Sequence, residues 1–185
     1  MTTPADQAMA LLLRPVRHAV NNLSMVLTAN LESAVPRMPE GERVTKLVTR
    51  AWDAAQDYDR LARGYLALGR EESVRSGRAD RVIGDLLPLL VLASGGPLAL
   101  EGEDGTAVEY RSPALESALV LAMSGASGLP AGPRPPLRLA RGRVELGWAV
   151  PEAARTALEA AGARVEAASV VLPQSGGAVS ARAAS

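Results

Sequence analysis

His18 is the only histidine in the chain, and it lies in the run Arg17-His18-Ala19-Val20-Asn21-Asn22-Leu23. A lone histidine cannot build a histidine-rich metal site or a histidine pair. It can carry a phosphoryl group, because an accessible imidazole keeps one unprotonated ring nitrogen near neutral pH and that nitrogen attacks phosphorus. On a helix, Arg14 stands one turn before His18 and Asn22 one turn after it. The Arg14 guanidinium can pair with a transferred phosphoryl group. Arg17 offers a second cation, and Asn22 can orient a water or meet a partner. His18, Arg14 and Asn22 are therefore the candidate catalytic residues, with Leu11, Arg17, Asn21 and Met25 as candidate docking contacts around them. Spacing alone leaves a plainer alternative open, an ordinary solvated histidine on an Arg-rich helix.

The element that positions His18 is a long helix. Thr3 fits its N-cap, Pro4 its first position and Asp6 the partner place of a capping box. Apolar residues then recur at Met9, Leu13, Val16, Val20, Leu23, Leu27 and Leu31. Their spacing alternates three and four, which is a helical seam. His18 falls on the opposite side, so it is expected to be exposed. The helix should run to about Val35, with Pro15 removing one hydrogen bond inside it. A break at 36–41 reads as a hairpin loop. A second helix follows, with its seam at Val44, Leu47, Ala51, Ala54, Tyr58, Leu61, Tyr65 and Leu68. Two helices bury too little apolar surface alone, and four helices from two chains answer that need.

Residues 71–78 read as a linker, and the pattern then changes. A helix is expected from Asp80 to Leu92 with Pro88 inside it, then short strands near 97–101 and 106–110. Pro113 opens a helix to about Gly125. Residues 128–136 form a Gly- and Pro-rich loop. Leu137 to Ala140 and Arg143 to Trp148 flank Arg141-Gly142, a β-hairpin signal. A helix from Pro151 to Ala161, one strand over 164–172 and a disordered tail over 174–185 complete the chain. The second half is expected to be a small, mostly antiparallel sheet with helices on one face.

Composition narrows the chemistry. Of 185 residues, 48% are apolar but only 3% aromatic, so the core must be built from Leu, Val and Ala and base stacking has little to work with. Basic and acidic residues balance at 20 each, and there is no long basic run, so a nucleic-acid footprint is absent. With no cysteine, disulfides, thiol chemistry and cysteine-bound zinc are excluded. There is neither a secretory signal pattern nor a run of about 18 apolar residues, so the expectation is a cytoplasmic protein without a membrane span.

The run His18-Ala19-Val20-Asn21-Asn22-Leu23-Ser24-Met25-Val26-Leu27, followed by Asn30-Leu31-Glu32, resembles the phosphoacceptor helix of sensor histidine kinases whose box reads His-Asp-Phe-Asn-Asn-Leu-Leu. In that family the histidine lies on the outer face of the first helix of a dimeric four-helix bundle. The family's acid directly after the histidine, which helps it attack ATP, is Ala19 here. Residues 113–130 resemble the first ATP-binding helix of the kinase catalytic domain. In that alignment Gly125 replaces the magnesium-coordinating Asn, Gly128 an Asp, and Leu121 an earlier Asn. No Asp occurs over 131–173, where the family's adenine-binding segment is needed. Pro133, Pro135 and Pro136 also crowd a loop where free amides would meet phosphates.

The resemblance, over roughly 8–173, is to a histidine phosphotransferase built on a kinase core. It implies an α+β fold: a hairpin over 1–70 forming a dimeric four-helix bundle, and a degenerate ATPase-like α/β sandwich over 79–173. It implies that His18 shuttles phosphoryl groups between aspartates of response-regulator receiver domains, that no cofactor is bound by this chain, and that Mg2+ sits on the partner receiver. A receiver phosphatase or a non-catalytic interaction protein on the same scaffold is the alternative. No nucleic acid and no membrane are expected as partners.

Overall fold

A computed structural model describes residues 3–34 and 41–175 of the chain. It is an α+β protein with a long N-terminal helical hairpin, and the described residues include five α-helices. Helix α1 spans Pro4–Ala34 and α2 spans Gly41–Ala67. The start of α1 is a capping box: Thr3 Oγ1 accepts from the Asp6 N–H at 3.1 Å, and Asp6 Oδ2 accepts from the Thr3 N–H at 3.0 Å. Pro15 is accommodated within one continuous helix.

The buried stripe of α1 overlaps the expected seam but is turned from it. Val16 is buried as expected and Met9, Val20 and Leu23 pack half-buried against the core, while Ala8 and Leu12 are buried in addition and Leu13 is 63% and Leu31 50% exposed. The reason is tertiary. Helix α1 packs on α4 (Ala114–Met123) and α3 (Ala79–Ser94) as well as on α2, which turns its buried face toward Ala8 and Leu12. Leu13, Leu27 and Leu31 form a second apolar stripe beside the buried one, exposed or half-buried within the single chain. On α2 the expected seam holds at Ala51, Ala54 and Leu61, which are buried, as is Leu68 just past its end, while Tyr58 is 39% exposed. Trp52 of α2 is 64% exposed.

Residues 71–78, expected as a linker, instead contain strand β1, Ser73–Arg78. It pairs antiparallel along its whole length with β3, Ala107–Ser112. Its short polar side chains hid it, because nearly every one faces solvent and no apolar alternation marks the strand. A second sheet runs in the order β2-β4-β5-β7-β6, from Leu100–Glu101, Leu137–Ala140, Arg143–Glu145, Ser169–Val171 and Arg164–Glu166 respectively. Its β2–β4 pair is parallel and the remaining pairs are antiparallel.

The β4–β5 hairpin forms as expected: Arg141 (φ 53°) and Gly142 (φ 71°) are both left-handed, the geometry of the tightest hairpin turn. The single strand expected over 164–172 is instead the β6–β7 hairpin, turning at Ala167 with φ 50°. Helix α4 ends at Met123 and continues as a 3-10 turn, Ser124–Gly128, and α5 spans Glu152–Ala160. Gln174, expected in the disordered tail, bridges to Val108. Ser175 is held as well, its N–H donating to the Ala107 carbonyl at 3.1 Å. Residues 176–185 of the expected tail and 36–40 of the expected loop lie outside the described residues, and Gly41 already belongs to α2.

One apolar cluster joins the two halves. Ala8, Leu12 and Val16 of α1 share it with Ile83 and Leu89 of α3, Leu115 and Leu119 of α4, and Leu137, Leu139, Val144 and Val170 of the sheet. The N-terminal half of the hairpin is thus part of the same core as the sheet.

Candidate functional site

The site is built on the side of α1 that faces neither the core nor the second apolar stripe. With a rotation of about 100° per residue, Leu11, Arg14, His18, Asn21, Asn22 and Met25 fall within one exposed arc. All six are exposed, as is Arg17 at its margin. The structure therefore brings together all seven residues singled out from the sequence. Asn22 lies within hydrogen-bond distance of the imidazole, with Nδ2 3.0 Å from His18 Nδ1. Arg14 and Arg17 make no ion pair among the described residues. Between Asp6 and Glu32, α1 carries no acidic residue, so both guanidinium groups remain available to an anion at His18.

Beside this arc lies a groove that sequence reasoning missed. It encloses about 550 Å3 between α1, α2 and α3, with Asn22 and Leu23 on one wall, Asp57 and Arg60 on another, and Gly84 and Pro88 among the α3 residues. Pro88 has no N–H to give the Gly84 carbonyl one turn back, so this oxygen lacks its helical partner. The Arg60 and Asp57 side chains pair at 2.7 Å on the rim. Asn22 belongs to both places, touching the imidazole and lining the groove. No local pattern in the sequence announces such a groove, since its walls come from three helices far apart in the chain.

In the second half the structure shows the surroundings of Gly125, Gly128 and Leu121. A side-chain carbon added at Gly125 would stand 2.5 Å from the Ala149 carbonyl oxygen and 2.7 Å from the Trp148 ring. Trp148 is buried, and its Nε1–H donates to the Ala122 carbonyl at 3.0 Å. The end of α4 is thereby sealed by the segment before α5. Gly128 is different, with open space where a side chain would begin. Leu121 is half-buried against the core.

Three arginines around the β4–β5 hairpin are engaged within the chain. Arg134 donates from Nε to the Ser94 carbonyl at 2.9 Å and from a terminal nitrogen to the Pro130 carbonyl at 2.8 Å, pinning the Pro-rich loop to the end of α3. Arg138 pairs with Glu101 and Arg143 with Glu166 across the exposed side of the sheet.

Two carboxyl groups are buried in this half, and their surroundings push them opposite ways. Burial raises the Glu116 pKa; a hydrogen bond from Ser112 at 2.7 Å and the charges of Arg75 and Arg70 only partly offset it. Burial alone would also raise Asp104. The Thr106 hydroxyl, the Gly142 N–H and the Thr106 N–H outweigh burial, with help from Arg78, and hold Asp104 below the ordinary carboxylate value. Asp104 thus clasps its own turn to the β4–β5 turn.

Among the described residues no group of three His, Cys, Asp or Glu side chains is placed to hold a metal ion. None of the described helices is long and apolar enough to cross a membrane. No protein-family model matches the chain, and no curated protein matches it.

Proposed function

We propose that this chain is a histidine phosphotransferase of a two-component phosphorelay, accepting a phosphoryl group on His18 from the aspartyl phosphate of one receiver domain and passing it to the aspartate of another. The observation that carries this reading is the exposed imidazole at hydrogen-bond distance from Asn22 on an acid-free stretch of helix, with Arg14 and Arg17 unpaired among the described residues. The receiver supplies the aspartate and Mg2+, and this chain supplies a positioned nitrogen and two cations. Leu11, Asn21 and Met25 surround that nitrogen as docking contacts.

On this reading the second half is a degenerate ATPase-like domain that binds no ATP. The packing at Gly125 supports it, because an asparagine there would collide with Ala149 and Trp148. Two hairpins would pair into a four-helix bundle. The second apolar stripe supports that pairing, as do Val48, Trp52 and Leu66 of α2, which are 49%, 64% and 67% exposed.

Incubation with phosphorylated receiver domains tests the proposal. Acid-labile label should appear on the wild-type chain and be absent from His18→Gln, with the helical content unchanged. Tight ATP binding in a calorimetric titration would replace this reading with that of a divergent kinase. The exposed amide of Asn22 favours a second reading, a receiver phosphatase in which this amide orients water. In that case Asn22→Ala slows receiver dephosphorylation while His18 never carries label.

A further inference from the structure

The groove between α1, α2 and α3 has one wall that the chain leaves half-covered. Along α3, Gly84, Leu87, Pro88, Val91 and Leu92 share a face at helical spacing, and all five are half-buried. Leu23 of α1 and Leu61 of α2 supply apolar surface on the other walls. At Gly84 nothing lies within 4 Å of where a side chain would begin, so the backbone of α3 is bare there. The volume of about 550 Å3 is that of a site for a small organic molecule, for which roughly 300–1,000 Å3 is usual.

The polar groups of the groove define the chemistry of an occupant. Pro88 withholds the N–H that the Gly84 carbonyl would accept in an unbroken helix, and both residues line the groove. The α3 wall thus carries a backbone acceptor without its helical donor. Asp57 and Arg60 are the charged residues on the walls, and their side chains pair with each other at 2.7 Å. With those charges matched, the groove holds no spare counter-ion. A charged ligand would lose its hydration among Leu23, Leu61 and Val91 without compensation, whereas an uncharged one would not.

We propose that this groove binds an uncharged amphipathic small molecule, with its apolar body along α3 and an amide or hydroxyl hydrogen donated to the Gly84 carbonyl. The site needs neither a phosphorylated His18 nor a receiver domain, so it does not rest on the phosphotransfer reading. Asn22 joins the two places, since its side chain lines the groove and stands 3.0 Å from the imidazole.

Octanamide is the probe, with N,N-dimethyloctanamide, which has no N–H, and octanoate, which is charged, as comparisons. NMR titration of the full chain should show saturable octanamide binding with a Kd of about 1 mM or tighter. Signals of Leu23, Leu61 and Val91 should move, and octanoate should bind more weakly at neutral pH. Gly84→Leu fills the groove from a position with open space, and should abolish binding while the helical content is kept. Pro88→Ala restores the N–H that takes up the Gly84 carbonyl. The preference for octanamide over its dimethyl analogue should then fall about fivefold, a change that the lost Pro88 contacts, common to both probes, do not produce. Absence of saturable octanamide binding, binding that survives Gly84→Leu, or a preference unchanged by Pro88→Ala overturns the proposal. Octanamide that binds only when the protein is diluted would assign the groove to a second copy of the chain, and overturns it as well.

Discussion

The hairpin and the α/β half treat their polar side chains in opposite ways. In the α/β half, arginines and carboxylates fasten loops: Arg134 pins the Pro-rich segment, and Asp104 clasps two turns. On the outer arc of α1, Arg14, Arg17, His18 and Asn21 are exposed to solvent, and His18 meets the neighbouring Asn22 side chain. These polar groups of the α/β half are committed to architecture, whereas the outer arc of α1 keeps its polar groups open to solvent.

The contrast is tested most severely at two neighbouring residues of α1. Leu12 is fully buried in the shared core, and Leu13 is 63% exposed. Leu12→Ala should lower the unfolding free energy by about 3 kcal/mol in urea titration, through lost burial and the cavity left behind. Leu13→Ser should leave the protomer's fold intact. Its effect should be on self-association, seen in sedimentation as a shift from dimer toward monomer. Equal loss of stability in both variants would mean that the hairpin packs in a different register.

Restoring a side chain at the sealed end of α4 should be the next largest effect. Gly125→Asn must displace the Ala149 backbone or the buried Trp148 ring, at a cost of about 2–3 kcal/mol. Trp148 fluorescence would report the disturbance. If the variant is as stable as the wild type, the end of α4 is looser than its packing implies, and the argument against a nucleotide site there weakens.

Asp104 gives the smallest expected change and the only one that depends on pH. Asp104→Ala leaves the Gly142 and Thr106 N–H groups without their acceptor and should cost about 2 kcal/mol at neutral pH. The folded-state pKa is depressed, so this stabilisation is present above the ordinary carboxylate pKa. It is lost as pH falls through the lower, folded-state value. Thermal melts of wild type and variant should converge in that acid range. A gap that stays constant with pH would mean that Asp104 acts through shape alone.

How much could be read beforehand depended on whether the signal was local. The capping box at Thr3 and Asp6, the exposed face carrying His18, and the Arg141-Gly142 turn were all legible, because each depends on residues a few positions apart. Strand β1 was not legible. Its sequence, Ser-Val-Arg-Ser-Gly-Arg, carries almost no apolar pattern, and its order comes from pairing with β3 some thirty residues later. The 164–172 stretch read as one strand because nothing in Ala167-Ala168 marks a turn, yet the chain reverses there. Of the site, the seven residues on α1 were legible from helical spacing, whereas the groove that Asn22 shares with α2 and α3 was not.

The sequence by itself determined that a helix carries His18 outward with Arg14, Arg17 and Asn22 around it, since a period of 3.6 residues settles which side chains share a face. It also determined that cysteine chemistry is absent, because the residue is. Only the tertiary structure decided which apolar stripe of α1 is buried and which stays exposed or half-buried. That choice turns on where α3 and α4 dock against it, and a helix with two apolar stripes does not reveal it. Only the tertiary structure decided that Gly125 is walled in and Gly128 open, because neighbours distant in sequence set the space at each. The side-chain geometry likewise decided that Asn22 meets Nδ1 of the His18 ring.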